Sequence, residues 1–383
     1  MRPSPVVAQV VPSLALGGME RMVGDMLREA DRRGDPAMLF CTDSAGFLYD
    51  SMPAITKAVG HRHPSLAGFD PGLLYRMVSC FRKASVDILH AHNLVAQLYA
   101  ALAAKVLRIP CVATVHGQGV TYGRRGNRLK RVLGRLTDTT VAVSNDAAGV
   151  LLAQHAVNRS RLSVIANGVS PTVASALLDI SAGGRSAARC RLGVRGDAIV
   201  IGSVGRFSVE KNYPMLVEAV AELCVGLEGG DTTRPLQLVL IGEGPDEYRI
   251  RESISAAGFE DGVLLPGRSD EVSEWLKAMD IFCLSSDTEG MSLSLLEACW
   301  AGLPAVVTDV GGNAEVVVPG QTGTVIGARD RAAMVDALRP LVLDEVLRKA
   351  MGMRARQNAK ERFSFERTYN EYVKLYQALC GAQ

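Results

Sequence analysis

The sequence predicts an α/β protein made of two Rossmann-like, doubly wound domains, and three observations lead to this expectation. The chain has 383 residues, which exceeds the usual size of a single hydrophobic core. Short apolar runs alternate along it with amphipathic stretches, a pattern typical of parallel sheets covered by helices on both faces. A stretch of small and polar residues from Ser170 to Gly196 interrupts this pattern near the middle and indicates a domain boundary.

The predicted strands are short apolar runs with helical stretches between them. In the first half of the chain they are residues 6–11, 37–41, 87–90, 111–115, 140–143 and 162–165. In the second half they are residues 199–204, 236–241, 262–265, 281–284, 305–307 and 323–326. We therefore expect an N-terminal domain at residues 1–170 and a C-terminal domain at residues 171–363. In residues 364–383, aromatic and aliphatic side chains recur at helical spacing, which predicts a final helix.

Composition and charge argue against several classes of function. The formal net charge of +2 gives no global reason to expect a nucleic-acid partner. The eight cysteines include no Cys-x-x-Cys pair, and several lie in apolar runs, as expected of buried thiols in a reducing compartment. No apolar run approaches the roughly 20 residues that span a bilayer, and no signal-peptide pattern opens the chain. We expect a cytoplasmic protein.

The most informative segment places two carboxylates eight positions apart, at Glu289 and Glu297. Glu289 follows the apolar run 280–284 at the exit of a predicted strand, and Glu297 lies on the predicted helix that comes next. The N-terminus of such a helix presents backbone N–H groups that favour phosphate. Carboxylates beside a phosphate are better suited to accept hydrogen bonds from sugar hydroxyls, so the segment predicts a nucleotide-sugar site.

This segment continues through residues 297–308 and into the sequence Gly-Gly-Asn-Ala-Glu at residues 311–315, and it resembles the Glu-x7-Glu signature of the retaining glycosyltransferases of family 4. The resemblance implies the GT-B fold, in which two Rossmann-like domains face each other across a cleft and the final helix crosses back to the N-terminal domain. The alternative is that this helix packs on the C-terminal domain alone. Many relatives have Glu-Gly-Phe-Gly where residues 289–292 are Glu-Gly-Met-Ser, which leaves the sugar open, and Ser292 can cap the helix.

The resemblance also assigns a donor site. It implies that Glu297 holds the ribose hydroxyls, Glu289 the sugar hydroxyls, and Arg206 with Lys211 the diphosphate. The loop between the two glutamates completes the site with Gly290, Met291, Ser292 and Leu293. The chain contains no Asp-x-Asp for a metal, and a guanidinium with an ammonium can neutralise a leaving diphosphate instead. We therefore expect catalysis without a metal or other cofactor, with a nucleoside diphosphate sugar as co-substrate.

Further candidates lie in the first domain. Gly17 and Gly18 follow the first predicted strand, where glycine lets the backbone approach a ligand, and they resemble the Gly-Gly-x-Glu-Arg loop that lies against the donor diphosphate in the family. His116 follows the strand at residues 111–115, and the resemblance places it beside the donor sugar as a catalytic positioning group rather than a general base. Secondary candidates, which turn geometry also explains, are Ser144, Asn145, Asn167, Gly242 and Gly244.

Two His-x-His pairs, at residues 61–63 and 90–92, are the only hint of a metal site. They lack Cys or carboxylate partners at ligand spacing, so we interpret them as strand or loop residues and predict no metal site.

A basic segment at residues 124–136 carries six cations and no acid. Its apolar residues Leu129, Val132, Leu133 and Leu136 fall on one face of a predicted helix. Such a helix can lie on an anionic membrane surface, which would place the protein peripherally on the inner face of a membrane. The alternative is that the apolar face packs on its own sheet while the charges meet water.

Together these features predict a metal-independent, retaining glycosyltransferase, a hexosyltransferase in the simplest case, acting on a hydroxyl acceptor. UDP is the first expectation for the nucleotide, from its frequency in the family, and GDP is the second. The acceptor is expected to be a glycan, a lipid-linked intermediate of polysaccharide biosynthesis or a small molecule. The alternatives are a non-catalytic relative that binds nucleotide sugar and a nicotinamide-dependent dehydrogenase, although neither half has the glycine fingerprint with a downstream acid that the dehydrogenase requires.

Overall fold

The computed structural model describes residues 4–15, 17–53, 55–63, 69–117, 123–177, 182–227 and 234–381. The chain divides into two compact units, which we call the first unit (Met1–Asn167 with Glu366–Gln383) and the second unit (Gly168–Phe365). Each unit contains one sheet whose paired strands are all parallel. This confirms the predicted α/β class with two parallel-sheet domains.

The first unit is built on a seven-stranded sheet with the order β3-β2-β1-β4-β5-β6-β7. Its strands are β1 (Val7–Val11), β2 (Ala37–Cys41), β3 (Thr56–Val59), β4 (Ile88–His92), β5 (Cys111–Val115), β6 (Thr139–Ala142) and β7 (Leu162–Val164). Its helices, before the C-terminal one, are α1 (Gly18–Arg33), α2 (Pro71–Lys83), α3 (Leu94–Leu107), α4 (Gly123–Leu136) and α5 (Asn145–Ala153). A short 3-10 helix, Arg159–Arg161, precedes β7.

The second unit is built on a six-stranded sheet with the order β10-β9-β8-β11-β12-β13. Its strands are β8 (Ile199–Val204), β9 (Leu236–Ile241), β10 (Val263–Gly267), β11 (Ile281–Leu284), β12 (Ala305–Thr308) and β13 (Gly323–Ile326). Its helices are α6 (Pro171–Ala176), α7 (Ala182–Leu192), α8 (Tyr213–Val225), α9 (Glu247–Ala256), α10 (Val272–Ala278), α11 (Leu293–Trp300), α12 (Asn313–Val316), α13 (Arg331–Leu343) and α14 (Glu345–Arg362). Short 3-10 helices lie at Val209–Lys211 and Glu260–Gly262.

The central strands form where the sequence has continuous apolar runs, because both faces of a parallel sheet are covered. Every residue of β1, β4, β9 and β11 is buried. Each predicted strand is present, with ends that differ from the prediction by at most two residues. β3 was not predicted, because it has only four residues, includes Lys57 and lies at the edge of its sheet, where burial is partial.

The C-terminal helix, α15 (Phe365–Gly381), packs on the first unit, as the resemblance implies and contrary to the alternative that it packs on the second domain alone. The Tyr369 hydroxyl donates to Oδ2 of Asp35 over 2.9 Å, and Oγ1 of Thr368 donates to the carbonyl oxygen of Ala166 over 2.8 Å. The Arg33 guanidinium lies over the Tyr369 ring at 4.8 Å. Residues distant in sequence therefore complete the core of the first unit.

The order of the strands in each sheet determines where the candidate site residues lie. Each sheet has a switch point, between β1 and β4 in the first unit and between β8 and β11 in the second, where consecutive helical crossovers leave in opposite directions. Open parallel sheets bind ligands outside the carboxyl ends of their strands at such points. Among the described residues, no helix is both long and apolar enough to cross a membrane.

Candidate active site

In the second unit, the loops that follow β8 and β11 run side by side because these strands are neighbours in the sheet. Ser285 donates its hydroxyl hydrogen to the carbonyl oxygen of Lys211 over 2.9 Å. The backbone N–H of Asp287 donates to the carbonyl oxygen of Glu210 over 2.8 Å. These bonds hold the basic loop of residues 205–212 against the acidic loop that begins the signature.

The ammonium Nζ of Lys211 forms an ion pair with Oε1 of Glu289 over 2.5 Å. The Ser286 hydroxyl donates to the same carboxylate oxygen over 2.7 Å. Both charged side chains are largely shielded from water, with exposures of 18% for Lys211 and 9% for Glu289. The structure thus brings two predicted site residues, separated by 78 positions, into direct contact.

Arg206 lies at the surface of the same loop, with an exposed side chain. Glycines at the end of β9 set the position of this loop. Gly242 and Gly244 have φ angles of 153° and 159°, and a Cβ atom at either would collide with the carbonyl oxygen of Gly205 or Phe207, respectively. Both glycines are secondary ligand candidates by sequence, and the structure gives them a packing role beneath the loop that carries Arg206.

The signature helix α11 begins as the sequence predicts. Ser292 is its N-cap, and its hydroxyl oxygen accepts a hydrogen bond from the Leu295 N–H over 3.3 Å, which confirms the predicted cap. Glu297 lies within the helix and is only 4% exposed. The Met291 side chain is also buried, whereas Leu293 is half-buried.

The backbone of this loop is supported by the turn that follows β12. The N–H of Gly312 donates to the carbonyl oxygen of Gly290 over 2.6 Å. Gly311 has a φ of 59°, and a Cβ atom there would collide with the carbonyl oxygen of Glu289. Gly311 and Gly312 belong to the extended signature, and the structure shows that they hold the loop of Glu289 and Gly290 in place.

In the first unit, the loop after β1 leads directly into α1. Gly17 is the N-cap residue, Gly18 is the first residue of the helix, and the Arg21 N–H donates to the Gly17 carbonyl oxygen over 3.0 Å. The Glu20 carboxylate folds back over Gly17, where a Cβ atom would collide with it. Burial raises the pKa of Glu20.

His116 follows β5 and lines a cavity of about 210 Å³ that Met19, from the first turn of α1, also lines. The first turn of α1 and the loop after β5 therefore line one cavity. Its other walls are mainly apolar, with Lys130 as the charged exception, and include Leu94, Val115, Leu151, Ala156 and Val157. Burial lowers the pKa of His116 to about 4, so its imidazole is neutral near pH 7.

The remaining secondary candidates differ in burial and in hydrogen bonding. Ser144 is fully buried and caps α5, where its hydroxyl oxygen accepts from the Ala147 N–H over 3.0 Å, so a structural role accounts for it. Asn145 is exposed in the first turn of that helix, and Asn167 is 4% exposed at the end of the first unit's main segment.

The histidine pairs are strand and loop residues, as predicted. His90 and His92 lie on β4, and their four ring nitrogens are all within hydrogen-bond distance of Tyr376, Thr114, His116 or Gln9. His61 and His63 are exposed in the loop after β3. Among the described residues, no group of three or more His, Cys, Asp or Glu side chains could hold a metal ion. The contact between His92 and His116 was not predicted from the sequence.

The basic segment forms α4, and its apolar face is narrower than predicted. Leu133 is buried and Leu136 packs against the core of the first unit. Val132 was expected on the same face but is 50% exposed, so the buried part of the face does not include it. Leu133 and Leu136 therefore support the alternative that the apolar face of α4 packs on its own domain. Arg128 and Arg131 are exposed.

Two parallel α/β units, with a basic and an acidic loop meeting at the switch point of the second, define a protein of the GT-B glycosyltransferase class. The model of "Glycosyltransferase Family 4" matches residues 16–173, and that of "Glycosyl transferases group 1" matches residues 185–358. The chain belongs to glycosyltransferase family 4 and is a glycosyltransferase, which confirms the resemblance seen in the sequence.

Individual relatives agree with this assignment. The chain is 28% identical to N-acetyl-alpha-D-glucosaminyl L-malate synthase of Bacillus anthracis over 316 residues, 80% of this chain and 79% of that protein. It is 26% identical to the UDP-Gal:alpha-D-GlcNAc-diphosphoundecaprenol alpha-1,3-galactosyltransferase of Escherichia coli over 354 residues, 88% of each chain. The crystal structure of Anabaena Alr3699/HepE in complex with UDP matches with a TM-score of 0.83 at 20% identity, over 97% of this chain and 99% of that one.

Proposed function

We propose that this glycosyltransferase is metal-independent and retaining, and that it transfers a hexose from a nucleoside diphosphate sugar to a hydroxyl acceptor. The observation that carries the proposal is the meeting of the two loops after β8 and β11, where Lys211 and Glu289 are held in contact. In this proposal the Lys211 cation neutralises a diphosphate bound at the N-terminus of α11, and the Glu289 carboxylate accepts a hydrogen bond from a sugar hydroxyl.

The reaction that fits these groups is substitution on one face of the sugar. The bond between the anomeric carbon and the leaving phosphate oxygen breaks, and the bond to the acceptor oxygen forms on the same face. The acceptor hydroxyl gives its proton to that phosphate oxygen. Negative charge grows on the diphosphate as the sugar leaves, so Arg206 and Lys211 stabilise the transition state more than the bound donor. His116, whose pKa burial lowers, serves to orient the sugar rather than to remove a proton.

UDP is the proposed nucleotide, with GDP second. The crystal structure of the Anabaena protein of the same fold is of its complex with UDP, and the Escherichia coli relative is named for a UDP-galactose donor. Glu297, buried on α11, is the proposed acceptor of hydrogen bonds from the ribose hydroxyls.

The cavity beside His116 is the proposed acceptor side. Its apolar walls and its single lysine suit an acceptor that combines an apolar part with an anionic or hydroxylated one. The acceptors in the names of the relatives differ: the Escherichia coli enzyme is named for a diphosphoundecaprenol acceptor and the Bacillus anthracis enzyme for malate. We propose a cytoplasmic location, with the exposed arginines of α4 available to an anionic membrane surface.

The test begins with binding. In a thermal-shift screen of UDP, GDP and ADP, UDP is expected to raise the melting temperature most, because a ligand that binds only the folded state stabilises it by mass action. UDP-glucose, UDP-galactose and UDP-N-acetylglucosamine then serve as donors, with slow donor hydrolysis as the readout that needs no acceptor. The anomeric configuration of the first-formed product is read by proton NMR.

Two outcomes oppose the proposal. Binding of a nucleotide sugar without any hydrolysis or transfer would support a non-catalytic relative, and product with inverted configuration would remove the retaining mechanism. A rate that disappears with excess EDTA and returns with manganese would remove the metal-independent assignment. The expected result is a rate nearly unchanged by EDTA, since Arg206 and Lys211 supply the positive charge.

A further inference from the structure

Three side chains form a row of hydrogen bonds that ends at the half-buried His116. Nε2 of His116 lies 2.9 Å from Nδ1 of His92, and Nε2 of His92 lies 2.7 Å from Oε1 of Gln9. Gln9 is 3% exposed on β1, and His92 is fully buried at the end of β4. The row therefore crosses the switch point of the first sheet, from its central strand to the cavity beside His116.

The hydrogen positions follow from the bonding capacity of each group. The carbonyl oxygen of Gln9 can only accept, so Nε2 of His92 carries the hydrogen. A neutral imidazole has one ring hydrogen, which leaves Nδ1 of His92 as an acceptor. Nε2 of His116 must then be the donor between the two rings. A neutral His116 is left with a bare Nδ1, that is, a ring nitrogen that carries no hydrogen and can only accept.

Burial keeps the rings neutral, which this assignment requires. It lowers the pKa of His92 well below its usual value and that of His116 to about 4. The groups that hydrogen-bond to the rings of the pair and of the neighbouring His90 are all uncharged, namely Gln9, Thr114 and Tyr376. No carboxylate among the described residues forms a hydrogen bond with these rings, so nothing there would favour an imidazolium.

The amide of Gln9 also faces α15, because Gln9 and Tyr376 line one cavity of the first unit. Burial raises the pKa of Tyr376, and its hydrogen bond with Gln9 lowers it. The Tyr376 hydroxyl in turn lies 2.6 Å from Nδ1 of His90. Since the carbonyl oxygen of Gln9 faces Nε2 of His92, its N–H group is the part of the amide that remains for Tyr376.

We infer that Gln9 and His92 are positioning residues that hold the hydrogen of His116 on Nε2, so that its Nδ1 accepts a hydrogen bond from a hydroxyl of the bound sugar. The inference rests on the proposed function, which puts His116 beside the donor sugar. A hydroxyl can donate to this nitrogen, and a group that only accepts is left without a partner. His116 thus selects for a hydroxyl at the position that it contacts.

The farther part of the network offers a matched control. Nε2 of His90 lies 2.7 Å from Oγ1 of Thr114, which lies 3.0 Å from the Tyr372 hydroxyl. Tyr372 and Tyr376 are both buried, and both lie on α15, one turn apart. Tyr372→Phe and Tyr376→Phe each remove one buried hydroxyl without changing the ring, but only Tyr376 contacts Gln9.

The experiment uses the full chain labelled with ¹⁵N-histidine and observed by NMR without ligand. The chain has six histidines, and His116→Gln identifies the His116 signal by its loss. The wild-type His116 is expected to show a protonated Nε2 and a bare Nδ1. Gln9→Met should convert it to a mixture of tautomers, Tyr376→Phe should have the same effect to a smaller extent, and Tyr372→Phe should leave it unchanged.

Kinetics with the donor chosen by the nucleotide screen give a second readout. Gln9→Met is expected to lower turnover by about 10- to 100-fold, the range for losing a group that orients a functional histidine, while Tyr372→Phe stays near wild type. A wild-type His116 protonated on Nδ1, or a tautomer that Gln9→Met leaves unchanged, overturns the inference. If the tautomers behave as expected but no donor is bound or hydrolysed, the assignment of hydrogens stands and the proposed function fails.

Discussion

Oε1 of Glu289 accepts hydrogen bonds from both Nζ of Lys211 and the hydroxyl of Ser286, at 2.5 and 2.7 Å. A carboxylate therefore holds the lysine of the proposed diphosphate site in place, and both side chains are mostly shielded from water. Pre-positioned charge needs little rearrangement during the reaction, which is the condition under which it contributes most to catalysis.

Lys211→Ala is expected to lower the turnover number by about 100-fold, the effect of removing one group that stabilises an oxyanion, and to raise the donor KM by less. Arg206→Lys should also be costly, because an ammonium cannot reproduce the guanidinium fork. The control is Lys277→Ala, which removes a lysine paired with Glu274 over 2.7 Å in the same unit. Steady-state kinetics measure both parameters. Variants that only raise the donor KM would show that these residues bind the ground state and the transition state equally well.

Lys211→Ala and Glu289→Gln are expected to be non-additive. Side chains in direct contact typically show coupling energies of about 0.5–3 kcal/mol, whereas distant residues do not. The measurement is a double-mutant cycle on the free energy of unfolding of the second unit without ligand. Lys277→Ala combined with Glu289→Gln is the reference pair, and equal coupling in the two cycles would mean that the observed contact contributes no specific energy.

Glu297→Ala should weaken UDP binding by about 1.5–3 kcal/mol, the range for a hydrogen bond to a charged group. Because Glu297 is buried, Glu297→Gln is tested beside it to preserve the side-chain volume. Calorimetry with UDP measures the change, and circular dichroism verifies the fold. An unchanged affinity in a folded variant would exclude contact between Glu297 and the ribose.

Gly242→Ala is expected to destabilise the second unit by about 1–3 kcal/mol, because its φ of 153° strains an L-residue and the added Cβ would collide with Gly205. Gly149→Ala is the control, since Gly149 lies in α5 with no atom within 4 Å of the added Cβ. That variant should be neutral or more stable by about 0.5–1 kcal/mol. Denaturant unfolding measures both, and equal effects would show that the close packing under the Arg206 loop is unimportant.

Replacing Arg128, Arg131 and Arg135 by Gln should reduce sedimentation with phosphatidylserine vesicles, and salt should weaken binding of the wild type by screening. Removing three exposed cations from the second unit, Arg195, Lys349 and Lys360, is the control for net charge. Equal losses in the two variants, or no binding by the wild type, would leave α4 as a helix that packs on its own sheet and meets water with its charges.

The sequence alone predicts the secondary structure well where chemistry is local. β11 is a continuous apolar run, and Ser292 caps α11 through an N–H only three residues away. β3 was missed because an edge strand with Lys57 needs no apolar run. Val132 was misplaced because helical spacing gives the direction of a side chain but not the width of the surface that covers it.

The individual contacts between distant segments could not be predicted from the sequence, although the resemblance implied that the final helix returns to the N-terminal domain. The pairing of Lys211 with Glu289 depends on β8 and β11 being neighbours, which the order of strands along the chain does not reveal. The bonds from His90 to Tyr376 and from Thr114 to Tyr372 span 286 and 258 positions and require α15 to return to the first unit. The contact of His92 with His116 likewise needs the register of β4 and β5.

The return of α15 also sets an order of events on the ribosome. Residues 168–365 are translated between the two segments of the first unit, and at about 5–20 residues per second this takes roughly 10–40 s. During that interval Gln9 and His90 lack the tyrosine that later bonds to them, and the apolar surface that α15 will cover is open to water. The nascent first domain is therefore expected to be the segment most exposed to chaperones and proteases until residues 366–381 emerge from the exit tunnel.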